Sequence, residues 1–146
     1  MKRLSFLLPI AICAAFLTGC ASPVSGPEYS SAKDTLPAPN PDSGRIFIYR
    51  TDVIGSLVQP PVRINGDEAG TARCRGFFYV DLPAGTYRID TGSKDEEGIH
   101  VSLAKGQVLY VRLKFSADPF GIYLDPEVVG AERAQDEMAN CRLTKR

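Results

Sequence analysis

The chain has 146 residues, 44% of them hydrophobic, which is the size of one domain. Its 17 Lys and Arg balance 17 Asp and Glu, so no chain-wide basic field exists to hold nucleic acid. Four Cys, one His and no Trp leave little material for a metal, cofactor or redox site, and no repeat of about 20–50 residues points to a solenoid or propeller.

Lys2 and Arg3 give a positive start, and Leu4 to Leu17 follows as 14 residues without a charge. A bilayer-spanning helix needs ~20 apolar residues; this run is shorter and contains Pro9. The pattern predicts a secretory signal over residues 1–19. The competing reading, a buried N-terminal helix, fits poorly with the proline-rich stretch that follows. Leu17-Thr18-Gly19-Cys20 resembles the bacterial lipobox at all four positions. The resemblance implies cleavage before Cys20, a diacylglyceryl thioether on its sulfur and a third, palmitate-type acyl chain on the new amino group. Two or more such chains anchor a protein stably where one does so only marginally. Ala21, rather than Asp, follows the cysteine; by analogy with Gram-negative lipoproteins this implies an outer-membrane anchor facing the periplasm.

Residues 21–43 hold five Pro and five Ser, with Val24 and Leu36 the only large aliphatics. Such a stretch cannot bury enough apolar surface to order itself. Residues 20–43 are therefore expected to be a lipidated cysteine followed by a disordered tether, ~25–30 Å in root-mean-square span; a docking motif for a partner is the other reading. The folded domain is expected over residues 44–146. Without the signal the chain carries 15 basic and 17 acidic residues, which argues only for solubility.

The domain reads as β. Residues 45–50, Arg-Ile-Phe-Ile-Tyr-Arg, are apolar on both faces, as in a central strand. Val62-Arg63-Ile64 runs into Asn65-Gly66, a dipeptide suited to a tight hairpin turn, with a return strand expected near Glu68 to Arg75. Phe77 to Leu82 predicts a strand stopped by Pro83-Ala84-Gly85, and Thr86 to Asp90 another with Tyr87 and Ile89 on one face. Ile99, Val101 and Leu103 alternate with His100 and Ser102. In Val108 to Phe115 the alternation puts Leu109, Val111, Leu113 and Phe115 inward and Tyr110, Arg112 and Lys114 outward. Gly130 to Cys141 carries Ala131, Ala134, Met138 and Cys141 at helical spacing. The expected fold is mainly β: a single immunoglobulin-like or transthyretin-like sandwich of six to eight strands with a short C-terminal helix.

Cys13 leaves with the signal and Cys20 is consumed by lipid, so Cys74 and Cys141 remain, in a compartment that permits disulfides. A bond between them would close ~68 residues and contribute roughly 4 kcal/mol on the chain-entropy model. Two separate buried thiols are the alternative. His100, on an outward position, reads as a structurally neutral histidine. A catalytic reading would need Ser102 as nucleophile with Asp90 or Asp95 as orienter, or Cys74 as a nucleophile if it is unpaired. Asp95-Glu96-Glu97 reads as a solvated turn and lacks the alternating ligands of a calcium loop. Arg73 and Arg75 flank Cys74 on one strand face; they either bind an anion or solubilise an edge strand. Phe120, in Ser116 to Gly121, either anchors a partner or folds back over the open end of the sandwich, the latter being expected.

The order of Arg45 to Arg50, Val62 to Gly66, Gly76 to Tyr87 and Gly106 to Arg112 resembles a bacterial lipoprotein family known only as domain of unknown function 2846, over roughly residues 44–143. It is also similar to the PEGA-type and transthyretin-like sandwiches, in which the Asn-Gly hairpin and the Leu-Pro-Ala-Gly-Thr-Tyr turn recur. The resemblance implies architecture and envelope location, with no catalytic residues to carry over. The expectation is a non-enzymatic lipoprotein of the cell envelope that binds another envelope protein, peptidoglycan or a glycan. A hydrolase-like envelope enzyme using His100 is the alternative.

Overall fold

A computed structural model describes residues 24–92 and 98–144. Among them are nine strands in two sheets and two helices, so the fold is mainly β and sandwich-like, with one short helix near the C-terminus. The larger sheet is built from β1 (Ser43–Arg50), β4 (Gly76–Pro83), β7 (Val108–Asp118), β8 (Gly121–Val129) and β9 (Arg142–Leu143), in the order β8-β7-β1-β4-β9. The smaller holds β2 (Pro61–Ile64), β3 (Asp67–Thr71), β5 (Gly85–Asp90) and β6 (Ile99–Leu103), in the order β3-β2-β5-β6.

The double-sided apolarity of β1 has a direct structural cause. It is the central strand of the larger sheet, antiparallel to β4 and parallel to β7. Ile46 and Ile48 face the smaller sheet and join Val62, Ile64, Ile89, Val101, Val111, Leu113 and Leu124 in the inter-sheet core. Phe47 and Tyr49 face the other way, into a second core with Phe77, Tyr110, Val129, Ala134, Met138 and Cys141. Helices α1 (Tyr29–Ala32) and α2 (Ala131–Met138) cover that face. The sandwich thus has a third, helical layer.

The predicted turns form as their residues require. Asn65 (φ 52°) and Gly66 (φ 92°) both take the left-handed backbone of a tight hairpin. The Asn65 side-chain carbonyl accepts a bond from the Arg88 amide at 2.8 Å. After Pro83, Tyr87 donates its hydroxyl to the Pro83 carbonyl (2.8 Å) and closes the Pro-Ala-Gly corner.

Four expectations are corrected. The return strand ends at Thr71, so Arg73, Cys74 and Arg75 lie in the turn to β4, with Arg75 at φ 49°. Tyr110, expected outward, is buried, because the outer face of β7 is roofed by α2. The segment after Phe115 is not a loop: β7 and β8 continue as paired strands to Asp118 and Gly121. The tether expected from residue 20 to 43 is docked on the domain from Gly26 onward. Tyr29 is 4% exposed and packs edge-on between Phe47 and Phe77, at ring separations of 5.6 and 5.4 Å. One buried tyrosine supplies the apolar area that the prolines around it lack.

Candidate functional site

Cys20 and the acidic run Asp95-Glu96-Glu97 lie outside the described residues. His100 is exposed on the outer face of β6, opposite Arg88. Ser102 is exposed two positions along, roughly 7 Å by strand geometry. Asp90 is turned into the protein, where its carboxylate lies 3.6 Å from Arg63 and 3.4 Å from Arg88. The structure does not assemble these groups into a hydrogen-bonded triad. Cys74 follows β3, whereas His100 is on β6 at the opposite edge of the smaller sheet, roughly 14 Å away across three strand spacings.

The expected Cys74–Cys141 disulfide is not formed; both are free thiols. Register brings the two segments together, since Gly76 pairs with Arg142. The Cys141 sulfur turns into the helical-side core, 3.7 Å from the Arg50 carbonyl and 3.9 Å from that of Glu137. Burial pushes its pKa up to about 11, against the opposing pull of Arg75. It is a protonated packing thiol.

Two constellations lie at the C-terminal end of β1; of their members, sequence reading singles out only Phe120 as a contact. The first centres on Glu137. Its carboxylate accepts bonds from the Tyr49 hydroxyl, the Arg112 guanidinium and the Arg133 guanidinium, each at 2.7 Å; Arg112 also bonds Glu127. Burial alone would raise the Glu137 pKa, but the hydrogen bonds from Tyr49 and Arg133 and the charges of Arg112 and Arg133 hold it below the usual value. Held by three donors, this carboxylate is a clasp between α2, β1 and β7. An open depression of about 310 Å³ beside it is lined by Thr51, Arg75, Glu137, Asn140 and Cys141. Among the described residues no group of three or more His, Cys, Asp or Glu is placed to hold a metal ion.

The second constellation is apolar. Because β7 runs parallel to β1 and passes Tyr49 at Arg112, its last five residues project beyond the end of β1 at Arg50, paired with β8. Phe120 sits at the tip of this arm, 83% exposed, and Ile122 is exposed just behind it. The expectation that Phe120 folds over the open end of the sandwich is therefore corrected: the paired strands carry it outward. Asp118 fixes the tip, accepting bonds from the amides of Phe120 and Gly121. Beside the arm lies the β1–β2 loop, with Val53, Ile54 and Leu57 exposed, Leu57 by 87%. Asp52 joins loop to arm by accepting the Phe115 amide at 3.1 Å. Buried Arg50 holds the loop from below, donating to the carbonyls of Ile54, Gly55, Val58 and Ala72. Five large apolar side chains thus share one braced end of the molecule, an arrangement characteristic of an interaction surface. The available signal was the Val53-Ile54 pair and Leu57 between two strands, where loops are ordinarily polar.

A family model described as "Protein of unknown function (DUF2846)" matches residues 40–125. An uncharacterized protein of Haemophilus influenzae is 24% identical over 126 residues, covering 85% of this chain and 73% of the relative. No solved structure gives a significant match.

Proposed function

The chain belongs to the DUF2846 family, and on that premise we propose that it is a lipid-anchored protein of the bacterial envelope. Its sandwich is a non-enzymatic module that binds another envelope protein. The anchor is Cys20, read from the lipobox-like Leu17 to Cys20, with the outer membrane as its destination. The observation that carries the binding role is the braced apolar end: Phe120 and Leu57 are 83% and 87% exposed on segments tied to the core by Asp52, Asp118 and Arg50. Exposed aromatic and aliphatic groups on a rigid support lose little entropy on binding and are the usual anchors of protein interfaces. The engaged state of Glu137 and the isolation of His100 from a nucleophile support a role without catalysis.

A photo-crosslinking amino acid placed at Phe120 or Leu57 in intact cells is expected to capture one discrete envelope protein. The same group at His100, exposed on the outer face of β6, serves as the control and should give no adduct. Absence of a protein adduct at both apolar positions, from a chain found in the membrane fraction, would refute the binding role.

A further inference from the structure

The chain between Cys20 and the domain is far shorter than the proline-rich composition suggests. The Leu143 amide donates to the Pro27 carbonyl at 2.9 Å, and the Tyr29 amide to the Cys141 carbonyl at 2.8 Å. Arg142 reaches the Gly26 carbonyl at 3.3 Å and the Glu28 carboxylate at 2.7 Å. A side chain at position 26 would place its Cβ 2.0 Å from the Leu143 carbonyl oxygen, so glycine is needed for this approach. The chain is thus fastened at Gly26, along the β9 edge of the larger sheet. Five residues separate Gly26 from Cys20, a reach of at most about 20 Å.

The charge at this edge is one-sided. Arg142 is exposed and ion-paired with Glu28. Arg75 is exposed and Arg73 half-buried in the turn leading to Gly76, which pairs with Arg142. Glu137, which shares the depression with Arg75, is neutralised by Arg112 and Arg133. The opposite edge, β8, carries Asp125 and Glu127, the latter paired with Arg112 of β7, and no basic residue of its own. A polarity of this kind turns a body held close to an anionic surface so that its basic edge faces it.

We infer that the β9 edge, with Arg73, Arg75 and Arg142, faces the bilayer and binds the phosphate groups of anionic phospholipid. This rests on the anchor at Cys20 proposed above. The fastened segment keeps this edge near the anchor, within reach of the headgroups, and the charge of its arginines sets which face is turned to the bilayer. The apolar end, at the strand termini, then points along the membrane plane and stays open to a partner.

The test uses the acylated full chain in vesicles of phosphatidylethanolamine doped with phosphatidylglycerol, with an energy acceptor on the lipid headgroups. A fluorescent amino acid is introduced singly at Asn140 beside β9, at Asp125 on β8 or at Phe120 at the apolar tip. Transfer is expected to be strongest from Asn140 and weaker from Asp125, which lies roughly 19 Å farther off across four strand spacings. Arg73→Gln with Arg75→Asn, the latter chosen because asparagine tolerates the left-handed backbone at that position, should abolish the difference, as should a Gly/Ser insertion after Ser22. Both variants should keep the native circular dichroism and remain membrane-bound. Equal transfer from Asn140 and Asp125 in the unaltered acylated chain, or strongest transfer from Phe120, would overturn this inference while leaving the anchor intact. A Cys20 without acyl mass would overturn both.

Discussion

At the level of single residues, the chemistry of this chain is mostly the chemistry of holding parts together. Arg50 is 1% exposed, and its guanidinium meets four carbonyl oxygens. A planar fork can serve acceptors on both sides; a lysine ammonium at the same site cannot. Arg50→Ala is expected to cost about 3 kcal/mol or more, since hydrogen bonds to a charged group contribute ~1.5–3 kcal/mol each and the abandoned carbonyls stay partly buried. Arg50→Lys should recover only part of that, as measured by urea unfolding. Cys141 supplies a second prediction. With a pKa near 11 and 2% exposure it should not react with a thiol reagent at neutral pH until the protein unfolds, and in denaturant without reductant both Cys74 and Cys141 should titrate. No titratable thiol at all would restore the disulfide. The sequence made that bond plausible because it shows two leftover cysteines; it cannot show that one sulfur turns into the helical-side core. Arg50 was equally illegible, because an arginine at the end of an apolar strand ordinarily reads as a solvent-facing terminus.

Among the elements, the strands were legible and their coverings were not. Alternation located β4, β5, β6 and the first eight residues of β7, since strand period depends on local pattern alone. Double-sided apolarity marked β1 as central, and the helical stripe of Ala134 and Met138 marked α2. The segment over α1 escaped notice because its composition is that of a linker and its ordering comes from one side chain reaching a distant aromatic pair. Tyr29→Ala should therefore cost about 3–5 kcal/mol, the range for deleting a buried aromatic ring, and should expose residues 24–36 to proteolysis while residues 43–144 remain folded. The attachment of α2 is sensitive to acid. Glu137 is held below its ordinary value of 4.5 in the folded state. Its contribution is thus complete above that pH and is lost as pH falls through the lower, folded value. Urea midpoints measured from neutral pH down past this range should drop less steeply in Glu137→Gln than in the parent chain, from a lower starting stability. An equal slope in the two proteins would show that Glu137 does not contribute to the acid response.

For the molecule as a whole, the layering explains why one end is sticky and the rest is not. The larger sheet is covered on one face by the smaller sheet and on the other by α1 and α2, so most of its apolar residues are consumed in two cores. Where β7 and β8 outrun the end of β1, Phe120 and Ile122 are left exposed and gather with Val53, Ile54 and Leu57 at one end; Val108 and Val128 are exposed elsewhere on the sheet. The sequence hid this because Phe120, set among Pro119 and Gly121, looks like part of a turn, and nothing local reveals how far its strands project. If the exposure serves binding, changing it should separate stability from association. Phe120→Ser combined with Leu57→Ser removes the two most exposed apolar side chains. Surface substitutions of this kind ordinarily shift stability by no more than about 0.5 kcal/mol, so the urea midpoint should stay within that margin. Crosslinking from a third position in the patch, Ile54, should fall sharply in the same variant. Loss of stability with crosslinking retained would instead mean that the arm packs inward in solution and that the partner touches another face.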